Sequence, residues 1–386
     1  MPIIRSGVQY SGKWTKSQQM QAIAAGTWTG IPTPEIFAWG TNSDGQLGLG
    51  NTTNRSSPVQ VGALTTWSRT ASGQNHTLAT KNDGTLWAWG DNFRGELGQG
   101  DTTDRNSPVQ VGALTTWAEV AGGYQYSLAT TDGKLYAWGY NGDNQLGLGD
   151  GTNRSSPVQV GSLTTWSKIS AGYNASYAIK TDGTLWAWGA NNHGQLGIGD
   201  TTTRNSPVQV GSLTTWAKVS GYKFSCLALK NDGTLWSWGY NPFGQLGLGD
   251  TTARNSPVQI GALTTWTTLG PGAYRGQAIK TDGTLWTWGS DSYGALGIGA
   301  LGNRSSPVQV GALTTWLQVA GGYFFSLATT TDGKLYAWGY NAFGQLGDGT
   351  TTSRNSPVQI GSLTTWGTLS KMSTTGSSLV TTARTT

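Results

Sequence analysis

What this chain lacks narrows its chemistry first. It has a single cysteine, Cys226, so no disulfide framework can form within it. Cys226 falls in a strand-like slot where the equivalent positions carry Ser or Thr, which reads as a buried, unreactive thiol. Histidine occurs twice, at His76 and His193, and neither has neighbours at metal-ligand spacing. Charged residues make up 11% of the 386, the net charge is +5, and no Lys/Arg cluster marks a nucleic-acid surface. No apolar run approaches the ~20 residues of a membrane helix. Met1–Trp14 has no apolar core of a secretory signal. Scarce charge would imply disorder only if apolar groups were scarce too. Here 20 Trp and 14 Tyr supply a core, and each buried ring contributes roughly 2–3 kcal/mol.

What is present is a period. Ala-Trp-Gly or a close variant recurs at Trp39, Trp89, Trp138, Trp188, Trp238, Trp288 and Trp338, in steps of 50 residues with one of 49. A fixed period of this length is the signature of a repeat architecture. One Arg per repeat (Arg55, Arg105, Arg154, Arg204, Arg254, Arg304, Arg354) accounts for much of the basic count and reads as a scaffold residue bonding loop carbonyls or the nearby Asp.

Within residues 166–215 four strands are legible: Trp166-Ser-Lys-Ile-Ser (A), Ser176-Tyr-Ala-Ile-Lys (B), Leu185-Trp-Ala-Trp-Gly (C) and Ser206-Pro-Val-Gln-Val (D). Asp182-Gly183 between B and C predicts a two-residue type I′ hairpin. Pro207 places D at a sheet edge, because Pro donates no ladder bond. Four short antiparallel strands repeated seven times predict an all-β fold, a seven-bladed β-propeller. The Asp-Gly turn occurs only six times, at Gly84, Gly133, Gly183, Gly233, Gly283 and Gly333. The chain ends in a B-like strand, Ser378-Leu-Val-Thr-Thr, and its first full repeat opens on a C strand, Glu35-Ile-Phe-Ala-Trp-Gly. The ring is therefore expected to close by pairing N- and C-terminal strands, with 34–386 the propeller and 1–33 a separate arm. Ser17 as N-cap, Gln18 to Ala25 and Gly26 as stop predict a short helix in that arm, followed by an extended connector at Pro32 and Pro34. Trp14, Met20, Ile23 and Trp28 are its expected apolar anchors.

Catalysis needs a nucleophile, base or metal set in one place. The acids are mostly turn Asp of the repeat or follow Leu-Gly-x-Gly, as Asp150, Asp200 and Asp250 do, and no paired carboxylates stand at matching spacing. The Gly-x-Gly pieces, such as Gly197-Ile-Gly199, precede polar loops and do not read as phosphate loops. No enzyme, cofactor or metal site is expected. In an up-and-down blade the A–B and C–D loops emerge on one face and the B–C and D–A connections on the other. The second face is nearly identical in every repeat. The first varies, with aromatic tips interleaved with amides and Arg: Phe93, Arg94, Phe243, Tyr293 and Phe343 between C and D, and Tyr124, Tyr126, Tyr173, Phe224, Tyr274, Arg275, Phe324 and Phe325 between A and B. Rigid rings with adaptable hydrogen-bonding neighbours suit recognition, and also stacking on sugars; the alternative for each ring is packing between neighbouring blades over the central channel.

The unit Ser-Leu-Ala-x-x-x-Asp-Gly-x-Leu-Tyr/Trp-Ala-Trp-Gly-x-Asn-x-x-Gly-Gln-Leu-Gly-x-Gly-Asp … Ser-Pro-Val-Gln-Val resembles the RCC1 repeat over about residues 35–382. The resemblance implies a seven-bladed propeller that hosts exchange factors, chromatin binders, enzyme inhibitors and uncharacterised members, so fold alone does not choose a function. The exchange-factor wedge, an insertion between strands of one blade, has no counterpart here, since every repeat is 49 or 50 residues. Residues 11–28, Ser-Gly-Lys-Trp-Thr-Lys-Ser-Gln-Gln-Met-Gln-Ala-Ile-Ala-Ala-Gly-Thr-Trp, resemble a short segment of tailed-phage virion proteins. That resemblance implies a virion structural, decoration or fibre protein. Its arm would bind other virion proteins and its propeller a host-surface protein or glycan, with no nucleic-acid partner and no membrane insertion. The alternative is a soluble RCC1-like regulator that binds one protein, as an enzyme inhibitor or GTPase exchange factor.

Overall fold

The computed structural model describes residues 35–63, 66–370 and the strand 377–382. The expected arm, with Trp14, Met20, Ile23 and Trp28, lies outside these residues. The described residues form a β-propeller of four-stranded antiparallel blades, its strands numbered β1 to β28 in chain order. Six blades each use one continuous stretch. The first of them runs β3 (Trp67–Ser72), β4 (His76–Lys81), β5 (Leu86–Gly90), β6 (Arg105–Gln110), in the roles A, B, C and D. The remaining sheet draws on both ends of the chain, in the order β2 (Arg55–Gln60), β1 (Ile36–Gly40), β28 (Ser377–Thr382), β27 (Trp366–Leu369). Here Ile36 pairs with Thr381 and Gly40 with Ser377, so the late B-like strand supplies the neighbour that β1 lacks.

The burial pattern explains the roles. Strand B is buried on both faces, as His76–Lys81 shows, while D, which carries the Pro, is only half-buried at the outer edge. A strands of adjacent blades touch one another and so stand innermost. The core is a series of repeated clusters between blades, such as Leu78, Leu86, Leu97, Val111, Trp117 and Trp138.

One contact recurs at every blade boundary. Each C-strand indole Nε1 donates to a C–D loop carbonyl of the preceding blade: Trp89 to Gln46, Trp138 to Glu96, Trp188 to Gln145, Trp238 to Gln195, Trp288 to Gln245 and Trp338 to Ala295, all at 2.8–3.0 Å. Trp39 donates to Gln345 in the same way at 3.0 Å, across 306 residues of sequence. The approach is so close that a Cβ on Gly98 would stand 2.9 Å from the Trp138 Nε1, so Gln-Leu-Gly needs its glycine. The Arg of strand D behaves as the repeat suggested. Arg154 donates to Asp150 at 2.7 Å and to the Thr152 carbonyl, and Arg204 and Arg254 repeat the pattern.

The B–C turn differs from expectation in most blades. At Lys180–Thr184 the Gly183 N–H bonds back to the Lys180 carbonyl, and Gly183 alone has a positive φ, +78°. This is a three-residue loop, a type I turn closed by a left-handed glycine. Among the described residues only the hairpin between β8 (Tyr126–Thr131) and β9 (Lys134–Gly139) is two-residue, with Asp132 at φ 51° and Gly133 at 73°. It is one residue shorter than its counterparts, which accounts for the 49-residue step. Asp is among the few side chains that accept that conformation readily.

Candidate functional site

The variable positions fall into sets that pack across blade boundaries. The A–B tips are bonded tip to tip by backbone: Gln74 N to the Tyr124 carbonyl, Tyr124 N to Tyr173 and Tyr173 N to Tyr222, at 3.1–3.2 Å. Above this girdle, a C–D tip of one blade stacks on the A–B tip and the C-strand end of the next. His193 lies 4.8 Å from Phe224 and 4.7 Å from Tyr240. Tyr293 lies 5.3 Å from Phe324 and 4.6 Å from Tyr340. Arg94 sits over Phe93 and Tyr140, at 4.8 and 5.2 Å. Phe243 packs edge-on against Tyr274 at 5.3 Å. Nearer the axis, Tyr124 stacks on Tyr173 at 3.9 Å, and the Lys223 ammonium lies between Tyr274 and Tyr323. Tyr124, Tyr173 and Lys223 line the mouth of a small cavity of about 20 Å³.

Of the expected binding residues, Phe93 (66% exposed), Tyr293 (54%), Phe343 and Phe243 are the exposed rings. Arg94, Tyr124, Tyr173, Phe224, Tyr274 and Phe324 are half-buried. Tyr126, Arg275 and Phe325 are corrected: all three are buried. Each occupies the first position of strand B, whose side chain points into the next blade. The Tyr126 hydroxyl donates to the Ala175 carbonyl at 2.8 Å, and Arg275 donates to the Gly322, Tyr323 and Phe325 carbonyls. His76 fills the same slot and lies 3.0 Å from the Ser127 hydroxyl. Sequence reasoning missed Tyr240 and Tyr340 as partners of these clusters, and it placed Lys223 at an A–B tip without picking out its ring neighbours. The available signal was that Lys223 stands where other repeats carry Tyr124, Tyr173 and Tyr323. It also missed the opposite face, where Leu114, Leu163, Leu213, Leu263, Leu313 and Leu363 are all exposed.

One strained residue belongs to this face. In six blades the Gln or Glu before the Leu-Gly accepts a hydrogen bond from the backbone N–H two residues earlier, as Gln195 does from His193 at 2.8 Å and Gln345 from Phe343 at 3.0 Å. Ala295 replaces that side chain, and Tyr293, two residues earlier, adopts φ 61°, a conformation uncommon for a bulky residue.

Burial lowers the His76 pKa to about 3, so the ring is neutral. Burial raises Glu96 to about 8, with the Asp91 carboxylate adding to the shift. Glu96 sits where five other repeats carry Gln, and when protonated it serves as an isostere of that amide. Among the described residues no three His, Cys, Asp or Glu are grouped to hold a metal ion, and no helix is long and apolar enough to cross a membrane.

A propeller with a uniform scaffold and one variable aromatic loop face defines a class of repeat-built β folds. The model of the regulator of chromosome condensation (RCC1) repeat matches residues 35–80, 83–130, 132–179, 182–228, 232–270, 282–329 and 332–371. The chain belongs to the RCC1-repeat family. It is similar to the crystal structure of human WBSCR16, with 22% identity and a TM-score of 0.82, over 92% of this chain and 100% of that one. It is also similar to Prp20p from Saccharomyces cerevisiae, studied for its binding to Gsp1p and histones, with 21% identity and a TM-score of 0.81, over 92% of this chain and 93% of that one. Yeast RCC1 (Prp20) bound to Kap60 matches at 21% identity and a TM-score of 0.82, over 100% of this chain and 97% of that one. At these identities the likeness shows the fold.

Proposed function

We propose that this chain is a non-enzymatic binding protein, a closed seven-bladed ring that holds a protein partner on its variable loop face. The observation that carries the reading is the set of exposed rings Phe93, Phe243, Tyr293 and Phe343, one at the C–D tip of each of four blades, on a scaffold otherwise uniform. Aromatic anchors beside amides and a guanidinium provide contact area at little entropic cost. Closure is supported by the β1–β28 pairing, by the Trp39–Gln345 bond and by a hydroxyl contact between Thr70 and Ser370. Prp20p, a neighbour of the same fold, is described with protein partners, which favours the soluble regulator over the virion reading. The virion reading, with its arm partners and host-surface ligand, rests on residues 11–28, outside the described residues.

The test is affinity capture from lysate of the source cells. Wild type is compared with a variant carrying Phe93→Ser, Phe243→Ser, Tyr293→Ser and Phe343→Ser. Wild type should retain a stoichiometric protein partner that the variant loses at an unchanged melting temperature. Equal capture by both overturns the assignment of this face.

A further inference from the structure

The A–B tips of four consecutive blades converge on one ammonium. Lys223 Nζ lies 4.9 Å from the ring centres of Tyr274 and Tyr323, 5.4 Å from Phe224 and 5.6 Å from Tyr173. It donates a hydrogen bond to the Tyr323 hydroxyl at 2.8 Å, reaching a blade two positions along the chain. Tyr124 completes the group by stacking on Tyr173. Among the described residues no carboxylate forms an ion pair with Lys223. The charge is half-buried at the mouth of the axial cavity, and among the described residues ring faces and phenol oxygens are what surround it.

An ammonium has three donors, and ring faces offer it attraction without neutralising it. A half-buried cation that lacks a counter-charge is desolvated without full compensation. Among the described residues the polar side chains that meet the ammonium are the Tyr274 and Tyr323 hydroxyls, so the requirement left unmet is an anion. A cationic ligand is disfavoured, because Lys223 already fills the aromatic cage. Burial works to lower the Lys223 pKa, but the Tyr274 and Tyr323 hydroxyls outweigh it and raise it. The amine therefore stays protonated and is not a nucleophile.

We propose that this axial mouth is a carboxylate-binding site that receives an acidic side chain of the protein partner. The inference rests on the partner-binding reading above and names the chemistry at its centre. An entering carboxylate accepts from Lys223 and from the tyrosine hydroxyls, and the rings around it exclude water and so strengthen those charge-assisted bonds. The exposed rings at the C–D tips surround this centre and supply apolar contact.

Calorimetric titration of the full chain with acetyl-tetraglutamate amide, acetyl-tetralysine amide and sodium phosphate tests the site. The glutamate peptide should bind saturably, more weakly as salt rises, and the lysine peptide should not bind. Lys223→Met should weaken the glutamate peptide by about tenfold or more, Lys223→Arg should retain it, and Tyr323→Phe should weaken it less. If Lys223→Met melts early, Lys223→Gln carries the same expectation. Equal binding by the charge-removed variants, no saturable glutamate binding, or binding of phosphate alone overturns the proposal. Partner capture that survives Lys223→Met but is lost in the four-ring variant rejects the carboxylate site and leaves the partner reading standing. Glutamate binding without a captured partner does the reverse.

Discussion

Replacing Glu96 by Gln should stabilise this protein by an amount that grows with pH. The Glu96 carboxyl is buried, accepts from the Arg94 N–H at 2.7 Å, and has its pKa raised from 4.5 to about 8. Below the unfolded value both states hold the proton, and Glu96 then behaves like the Gln of other repeats. As pH rises through 4.5, the unfolded chain releases its proton while the folded chain keeps it, so stability falls until about pH 8 and then levels off. At 1.36 kcal/mol per unit the full difference is ~5 kcal/mol, with ~3 kcal/mol of it present at pH 7. These figures are ceilings, because local opening that hydrates the carboxylate truncates them. At the usual unfolding entropy per residue, ~5 kcal/mol corresponds to about 7 °C in melting temperature for a chain this long. The assay is thermal and urea unfolding of wild type and Glu96→Gln from pH 5 to pH 9. The two should differ least at pH 5, by about 1 kcal/mol or less, and diverge steadily to pH 8. A difference that does not change with pH refutes the buried, protonated carboxyl.

His76 carries the opposite sign. Its folded pKa of about 3 lies below 6.5, so stability is lost as pH falls from 6.5, and His76→Gln should flatten that acid limb in the same unfolding series. Ala295→Gln should restore the missing loop bond and free Tyr293 from its left-handed backbone, gaining about 1 kcal/mol by urea unfolding; no gain would reject the account of that strain. Trp188→Phe removes the donor to the Gln145 carbonyl and should cost about 2–3 kcal/mol, which a neutral outcome contradicts. Deleting residues 366–386 leaves β1 without its neighbour and should give an aggregating or unfolded product by size-exclusion chromatography; a soluble, cooperatively melting truncation would sink the closure model.

Fold and face were legible in the sequence to different depths. The period and the missing seventh Asp-Gly turn located the blades and the sheet built from both ends, because those depend on local signals repeated many times. The hairpin type was misread, because Asp-Gly serves both loop lengths and only counting the preceding residues separates Thr131-Asp132-Gly133 from Thr181-Asp182-Gly183. Tyr126, Arg275 and Phe325 looked like loop tips, yet each begins strand B and is swallowed by the following blade. Variation there answers to the neighbour's shape, as His76 does to Ser127. The Lys223 cluster joins side chains 50 and 100 residues apart, a relation no local pattern encodes.

The sheet shared by both ends also sets a clock. β1 and β2 are complete once residue 60 has been made, but β28, the strand that covers β1, ends at residue 382. At about 5–20 residues per second, a ribosome needs roughly 15–60 s to make the intervening chain. Through that interval β1 presents an unpaired strand edge, flanked by repeats whose sequences are nearly interchangeable with its true partner. Neighbouring nascent chains on one message therefore carry matching open edges, and the yield of folded protein should depend on translation speed and ribosome spacing as much as on the stability of the finished molecule.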